Sequence, residues 1–257
     1  MATYTTEITS DKLISDNPIH QRLLKAYIAA KDMVSGDLLE IGCGEGRGVE
    51  ILAPLVDSYH GLDKIGEIIE KLKIRYPAHT FDQANIPPLD KLPNNSFDAV
   101  VSFQVIEHIQ DDLLFLKEIH RVLKPGGKAI ISTPNNKFTL SRNPWHIREY
   151  LPDQLLALCG SVFRKVTPRG IGGNEKVWDY HHANRISVNK ITKWDFFNLQ
   201  YWLPSSWLKI PYEILNRVNR NKLHKKYGEQ VTNLHHTDYL LVDDSAKGLD
   251  LFFILEK

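Results

Sequence analysis

A glycine-rich turn follows a short apolar segment near the start of the chain. The segment 38–41 reads Leu-Leu-Glu-Ile. Four glycines then alternate with other residues: Gly42, Gly44, Gly46 and Gly48. Glycines let the backbone turn tightly and bring its N–H groups close to a ligand. A dinucleotide fingerprint needs its third glycine where this chain has Arg47 or Val49. The pattern therefore indicates a ligand cradle other than a pyrophosphate site, with a plain tight turn as the alternative.

An acidic residue ends the next apolar segment. Asp63 follows Gly61-Leu62, about twenty positions after Gly42. A carboxylate at the tip of a second parallel strand can accept hydrogen bonds from both hydroxyls of a ribose. An aspartate at this place can also cap the following helix. The two roles are compatible, and we expect ribose binding.

Two longer motifs complete the pattern. Residues 96–109 read Ser-Phe-Asp-Ala-Val-Val-Ser-Phe-Gln-Val-Ile-Glu-His-Ile, and residues 121–127 read Arg-Val-Leu-Lys-Pro-Gly-Gly. Together with the glycine turn and Asp63, they resemble the class I (Rossmann-like) S-adenosylmethionine-dependent methyltransferases. The chain is similar to the small-molecule and polysaccharide-associated members of that family. The resemblance is firm from residue 37 to residue 133 and extends loosely to the last strand.

The resemblance implies S-adenosylmethionine as cofactor, bound where the first, second and fourth strands end. It assigns the methionine part, directly or through water, to Glu40, Gly42, Cys43, Gly44 and Gly46. It assigns the ribose to Asp63 and the adenosine to Lys64 and Ile65. The loop after the third strand would place Ala84 and Asn85 near adenine. Three residues would pass close to the sulfonium: Ser102, Phe103 and Gln104.

Two histidines are candidates for a catalytic base. His108 belongs to the Glu-His pair after the fourth strand, and His146 lies in the segment 143–150, Asn-Pro-Trp-His-Ile-Arg-Glu-Tyr. A hydroxyl acceptor needs a group that removes its proton. The second segment, with the Thr-Pro-Asn before it, resembles a stretch of carbohydrate-associated methyltransferases. We expect Asn135, Arg148 and Tyr150 to bind substrate. A pocket-shaping role for His108 and a loop-anchoring role for His146 are the alternatives.

The predicted activity is methyl transfer to a hydroxyl of a small molecule or carbohydrate. The same fold could instead serve a nitrogen, carbon, RNA or quinone-like lipid acceptor, or a non-catalytic scaffold that binds the cofactor. An NAD-dependent oxidoreductase is a remote further alternative. The formal net charge is only +1, so no overall field favours nucleic acid.

The segment 171–245 predicts a helical insert. It holds four of the five tryptophans. Its aromatic residues could form a small core, which we expect first, or a lid or a homodimer contact: Trp194, Phe196, Phe197, Tyr201, Trp202 and Trp207. Residues 209–226 form a basic amphipathic stretch, which we expect to be a solvated helix face; contact with a membrane surface is the alternative. We predict no metal site, since the pairs at 181–182 and 235–236 lack ligands at regular spacing.

The elements that must position these residues form an α/β pattern. Alternating apolar and amphipathic segments predict βαβ units. We expect helices at 17–32, 47–55, 65–75, 111–123 and 152–159. We expect strands at 37–42, 58–63, 79–82, 97–103, 128–133, 162–168 and 248–256. The resemblance implies a doubly wound, Rossmann-like sheet of seven strands whose last strand is antiparallel, with the insert before that strand.

Composition is that of an ordinary globular chain, with 42% hydrophobic and 25% charged residues. We expect one methyltransferase domain, 1–257, with an N-terminal helical cap, 1–36. Only two cysteines occur, which favours a reducing, cytoplasmic compartment. The first sixteen residues lack a signal-peptide pattern, and no apolar run approaches the ~18–20 residues of a membrane span.

Overall fold

A computed structural model describes residues 13–193, 195 and 198–257. The expectations for Trp194, Phe196 and Phe197 lie outside the described residues. The strands are β1 (Asp37–Ile41), β2 (Ser58–Asp63), β3 (Thr80–Gln83), β4 (Phe97–Phe103), β5 (Leu123–Pro134), β6 (Lys165–Gly173), β7 (Tyr239–Val242) and β8 (Asp250–Glu256). The helices are α1 (Asn17–Ala30), α2 (Arg47–Leu52), α3 (Gly66–Arg75), α4 (Asp112–Val122), α5 (Pro152–Gly160), α6 (Glu175–Thr192), α7 (Leu199–Trp202) and α8 (Ser205–Thr232).

The strands form one sheet in the order β3-β2-β1-β4-β5-β8-β6-β7. Neighbours from β3 to β5 pair in parallel, whereas β8 is antiparallel to both β5 and β6. The α/β class, the Rossmann-like winding and the antiparallel last strand are confirmed. The sheet has eight strands rather than the expected seven, because residues 239–242 add a short edge strand antiparallel to β6.

Both faces of the sheet are covered by apolar packing. Neighbouring strand residues point to opposite faces, so Leu38 packs into one buried cluster and Leu39 into the other. Residues of α1, α2, α3 and α6 join the first cluster, and residues of α4 and α5 join the second. The strands read as nearly continuous apolar runs because both faces are buried.

Two strands differ from their predicted bounds by more than two residues. β5 begins at Leu123 because the Lys-Pro-Gly-Gly turn is an irregularity in its pairing with β4, with Gly126 at φ 80°. β6 runs to Gly173, beyond the predicted end at Pro168. Glycines weaken a strand prediction. Here a side chain at Gly170 would meet the backbone of Gly248, so the glycine permits close approach of the segment that precedes β8.

The insert between β6 and β7 is helical, as expected, and comprises α6, α7 and α8. The expectation of a small aromatic core is wrong for its described members, because Tyr201, Trp202 and Trp207 are exposed. Trp178 instead packs against Phe138, with ring centroids 5.2 Å apart. None of the described helices combines the length and the apolar character needed to cross a membrane.

Candidate active site

The glycine turn joins β1 to α2 at the carboxyl edge of the sheet. Gly42, Gly44 and Gly46 all have positive φ angles, of 82°, 50° and 86°, which side-chain-bearing residues rarely adopt. The N–H groups of Gly42 and Cys43 donate to the carbonyl of Leu62 on β2. Space is open beside the α-carbon of Gly44. The turn therefore exposes backbone at the point where a ligand could lie against it.

Asp63 ends β2 and faces this turn. Its Oδ2 atom accepts a hydrogen bond from the N–H of Gly44 at 2.9 Å, and its Oδ1 atom accepts one from the N–H of Ile65 at 3.0 Å. A carboxylate can accept about four hydrogen bonds. The Asp63 carboxylate thus braces the glycine turn and keeps acceptor capacity for two ligand hydroxyls.

Glu40 lies beneath the turn rather than in a cavity wall. Its carboxylate is buried and accepts hydrogen bonds from the hydroxyls of Tyr27, at 2.7 Å, and Tyr59. Burial raises the pKa of Glu40 to about 7, and the two tyrosine hydroxyls oppose that shift. The prediction allowed Glu40 to contact the ligand either directly or through water. The buried position of Glu40 does not support direct contact. Glu40 reaches the cavity through Tyr27, which lines it.

A cavity of about 1000 Å³, which we call the larger cavity, extends from the turn across the ends of β1, β2 and β4. One wall comes from α1 through residues such as Leu23 and Tyr27. The predicted cofactor residues in its lining are Gly42, Cys43, Gly44, Gly46, Asp63, Lys64, Ile65, Asn85, Phe103 and Gln104. Three others are not in the lining: Glu40, Ala84 and Ser102. Ser102 is buried and donates to the carbonyl of Ile41, so it joins neighbouring strands.

A smaller cavity of about 270 Å³ adjoins the first. Leu23, Gln104 and His108 line both cavities. Much of its remaining wall comes from the loop after β5 and from the inner sides of α6 and α8, and α1 contributes Pro18, Ile19 and Arg22. Polar residues in this wall include His146, Glu149, His181, Asn184, Asn219 and Arg220. The geometry can hold two molecules next to each other, with Gln104 and His108 between them.

His146 lies in the smaller cavity and is fixed in one orientation. Its Nδ1 atom lies 2.6 Å from Oε1 of Glu149, and its Nε2 atom lies 2.8 Å from the amide nitrogen of Asn143. The Asn143 side-chain oxygen accepts from the N–H of Trp145, which directs the amide N–H toward His146. The imidazole therefore carries its proton on Nδ1 and presents a basic Nε2.

Glu107 is a second acid in this wall. Its side chain is buried and accepts a hydrogen bond from the Thr133 hydroxyl at 2.8 Å. Burial raises the pKa of Glu107 to about 7, against the opposing influence of nearby His146. A carboxyl group that titrates near neutrality can exchange a proton with a reacting group.

His108 is also held by hydrogen bonding, since its Nδ1 atom lies 2.9 Å from the carbonyl oxygen of Trp145. Glu107, His108 and His146 each bring one metal-ligand atom within 4.8 Å of the other two. Both ring nitrogens of His146 already face protein partners, Glu149 and Asn143. We interpret the cluster as a hydrogen-bonded wall.

The three predicted substrate residues have structural partners. The Asn135 side chain is buried and donates to the carbonyl of Gly248 at 2.8 Å. Asn135 also lines the smaller cavity. It can therefore contact a substrate there while its amide keeps the hydrogen bond to Gly248. Arg148 and Tyr150 both bind the carboxylate of Asp112 and line neither cavity. The structure therefore places these two away from the predicted site, because they join the loop after β5 to α4.

Four side chains of the candidate site were missed by the sequence reasoning. Tyr27 was given no role, and Glu107 and Glu149 were quoted within motifs without a role. Asn219 gave no signal. It lines the smaller cavity from α8, and its buried side-chain oxygen has no hydrogen-bond partner among the described residues. Glu107 and Glu149 could have been found, because each is an ionisable residue within a recognised motif, whereas Tyr27 lies outside the motifs.

Comparison with known proteins agrees with this geometry. Residues 39–131 match a family model described as a methyltransferase domain. A Mycolicibacterium smegmatis protein named "Probable S-adenosylmethionine-dependent methyltransferase" is 41% identical over 127 residues, which cover 48% of this chain and 49% of that protein. The mitochondrial ubiquinone biosynthesis O-methyltransferase of Rattus norvegicus is 32% identical over 130 residues, covering 46% of this chain and 37% of that protein.

The first of these relatives is matched over about half of its length. The similarity in fold reaches further. A solved structure from Thermotoga maritima, described as "SAM-dependent methyltransferase, possible histamine N-methyltransferase", has a TM-score of 0.59 at 16% identity and covers 94% of this chain and 92% of that one. The predicted resemblance to class I S-adenosylmethionine-dependent methyltransferases is confirmed by these matches.

Proposed function

We propose that this chain, with its methyltransferase domain of the class I type, transfers a methyl group from S-adenosylmethionine to an oxygen of a small molecule or carbohydrate. The larger cavity binds the cofactor and the smaller cavity binds the acceptor. The carrying observation is that Gln104 and His108 line both cavities. A methyl donor and an acceptor can therefore meet at the carboxyl end of β4.

The residues present fit this cofactor. The positive-φ glycines leave room beside Gly44 for a close ligand approach. Asp63 retains acceptor capacity for the two ribose hydroxyls after bracing the turn. Ile65 and Ile86 line the same cavity and offer apolar surface for a flat base. In this proposal Asn85 lies at the adenine end and Gln104 at the sulfonium end.

The acceptor end favours a hydroxylated molecule. The smaller cavity offers both donors and acceptors, including Asn184, Arg220 and the Asn219 oxygen, which has no partner within the described part of the chain. Polar groups in a buried wall give specificity for ligands that satisfy them. The O-methyltransferase named among the relatives supports an oxygen acceptor. Nitrogen, carbon and quinone-like lipid acceptors remain outcomes of the acceptor screen.

The chain's own residues align the acceptor and manage its proton. When bound, S-adenosylmethionine supplies a methyl group on a positively charged sulfur, and this sulfur keeps the electron pair of the carbon–sulfur bond as the leaving group. The acceptor hydroxyl takes the place of the Asn143 amide at Nε2 of His146 and gives its proton to that nitrogen. Glu149 stabilises the resulting imidazolium. Alignment and exclusion of water contribute the larger part of the rate.

Calorimetric titration with S-adenosylmethionine and S-adenosylhomocysteine tests the cofactor half. We expect both compounds to bind the full chain and to compete with each other, whereas NAD should not compete. Absence of binding to folded protein would disprove the proposal.

A screen of sugars, phenols and hydroxylated lipids with isotope-labelled cofactor tests the acceptor half. We expect an acceptor-dependent rise in S-adenosylhomocysteine, with the label on an oxygen of the product. Tight cofactor binding without turnover on any acceptor would favour the scaffold alternative. Label on nitrogen or carbon would refute oxygen transfer and leave the cofactor assignment in place.

A further inference from the structure

The long insert helix α8 presents its apolar side to solvent. Trp207, Ile210, Ile214 and Val218 recur at the three- and four-residue spacing of one helix face. All four are exposed, Trp207 by 70% and Ile210 by 69%. Leu215 is exposed beside them. Residues at this spacing form a continuous stripe, which we name the outer stripe.

The opposite side of the same helix is polar and faces inward. Tyr212, Asn216, Asn219 and Arg220 line the smaller cavity. A surface helix of a globular protein normally buries its apolar face and exposes its polar one. The reversed arrangement in α8 means that the apolar outer stripe has no role in packing among the described residues. Exposed apolar patches of this kind mark interaction sites.

The charges on this surface identify one kind of partner. Beyond the outer stripe, the exposed positions of the helix carry Lys222, Lys225 and Lys226. From residue 198 to residue 228, a stretch that the structure describes throughout, Glu213 is the only acid. The two arginines of this stretch pair with Asp16, and Lys209 lies over the Trp145 ring, so the cationic charge of the outer surface comes from the three lysines. Glu213 is half-buried rather than fully exposed. The outer surface of α8 is therefore apolar and cationic.

We propose that the outer stripe and its three lysines dock the protein on an anionic lipid bilayer. An apolar helix face enters the boundary between headgroups and acyl chains, and neighbouring lysines reach anionic headgroups. The exposed side chains of Tyr201 and Trp202 on α7 add aromatic surface of the type found at membrane interfaces. The helix then lies on the membrane with its polar side forming a wall of the smaller cavity.

The test uses the full chain in vesicle flotation. Vesicles of phosphatidylcholine alone are compared with vesicles that contain about one third phosphatidylglycerol. We expect binding to the anionic vesicles and a blue shift of tryptophan fluorescence, which Trp207→Phe reduces. Failure of the folded protein to bind anionic vesicles would overturn the proposal.

Matched variants locate the binding surface. Ile210→Ser on the outer stripe should lower the partition coefficient several-fold, whereas Ile74→Ser, an exposed isoleucine on α3, should leave it unchanged. The triple variant Ile210→Ser/Ile214→Ser/Val218→Ser should lower it about tenfold or more. Equal losses for the α3 and α8 variants would overturn the assignment.

Two further measurements test the role of the lysines and distinguish lipid docking from self-association of the chain. Substitution of Lys222, Lys225 and Lys226 by glutamine should abolish the preference for anionic vesicles, and a retained preference would contradict the role of the lysines. Sedimentation equilibrium without vesicles should show one species at all concentrations. A dimer that the triple serine variant abolishes would show that a second copy of the chain covers the outer stripe, and would overturn lipid docking.

Discussion

Gly48 lies directly against the buried carboxylate of Glu40, so that a methyl group on its α-carbon would overlap Oε2. Glu40 cannot easily move away, because Tyr27 and Tyr59 both donate hydrogen bonds to it. Gly48 does not line the larger cavity. The last glycine of the turn is therefore required by close packing of α2 on β1, while the earlier ones shape the ligand cradle.

Substitution of this glycine should reduce stability. We expect Gly48→Ala to lower the free energy of unfolding by about 1–3 kcal/mol, the usual cost of overpacking a filled site. Chemical denaturation monitored by circular dichroism measures the change. Gly160→Ala is the control, because nothing lies within 4 Å of a side chain added there. Equal stability of the two variants would show that Glu40 and the turn can rearrange without cost.

Removal of the Asp63 charge should weaken cofactor binding. Asp63→Asn replaces one carboxylate oxygen by an amide donor, which opposes the backbone N–H groups of Gly44 or Ile65 and loses a ribose acceptor. Hydrogen bonds to charged groups contribute about 1.5–3 kcal/mol. The Kd for S-adenosylmethionine, measured by calorimetry, should therefore rise about tenfold to a hundredfold.

The matched control is Asp82→Asn on β3. Asp82 is an exposed acid that pairs with His60 and does not line either cavity. We expect its Kd to equal that of the unmodified chain. A similar loss in both variants would mean that net charge, and not the position of Asp63, governs affinity.

Loss of the basic nitrogen of His146 should stop turnover and spare cofactor binding. General-base catalysis contributes about 10²–10⁴-fold, so kcat of His146→Ala should fall by that range while the Kd for S-adenosylmethionine stays unchanged. Glu149→Gln keeps the imidazole but removes the charge near Nδ1, and should cause a smaller loss. His182→Ala, an exposed histidine on α6, is the control. Retained turnover in His146→Ala would leave His146 as a loop anchor.

The cofactor half of the site was predictable because its signals are local. The turn at Gly42 and the acid Asp63 depend on strand ends and short spacings, which the sequence displays directly. The structure brings both to one cavity. Ala84 was expected near adenine but does not line the cavity. Its position depends on the shape of a loop, which the spacing of residues along the chain does not predict.

The acceptor half depends on contacts between distant segments. Asn135 is tied to residues more than one hundred positions away, and Arg148 to Asp112. Neither pairing leaves a pattern along the chain. The amphipathic character of α8 was visible in the sequence, but its orientation was not, because periodicity shows that a helix has two faces and not which face is buried.

Glu107 should make stability depend on pH. Its pKa rises from 4.5 to about 7 on folding because the carboxyl group is buried. Between these values the folded chain holds a proton that the unfolded chain has lost, so stability is full below pH 4.5 and falls as pH rises toward 7. Each such group changes the free energy of unfolding by up to about 1.4 kcal/mol per pH unit.

Glu107→Gln removes this titration and can still accept the Thr133 hydrogen bond. We expect denaturation curves of the variant to show a shallower decline in stability over this window. Glu40, whose pKa is also raised to about 7, should preserve the remaining slope. Glu67→Gln, at an exposed acid paired with Lys71, is the control and should leave the decline intact. An unchanged slope in Glu107→Gln would show that Glu107 is ionised throughout.

Asn219 should recognise the acceptor and not the cofactor. Its side-chain nitrogen donates to Asn184 at 2.8 Å, while its buried oxygen has no partner among the described residues and lies in the wall of the smaller cavity. An acceptor hydroxyl that donates to this oxygen would gain about 0.5–1.5 kcal/mol. With the acceptor found by the turnover screen, Asn219→Ala should raise KM about two- to tenfold without changing the Kd for S-adenosylmethionine. Asn221→Ala, on the exposed side of α8, controls for a general effect on the helix. A lower melting temperature with an unchanged KM would assign Asn219 to helix packing alone.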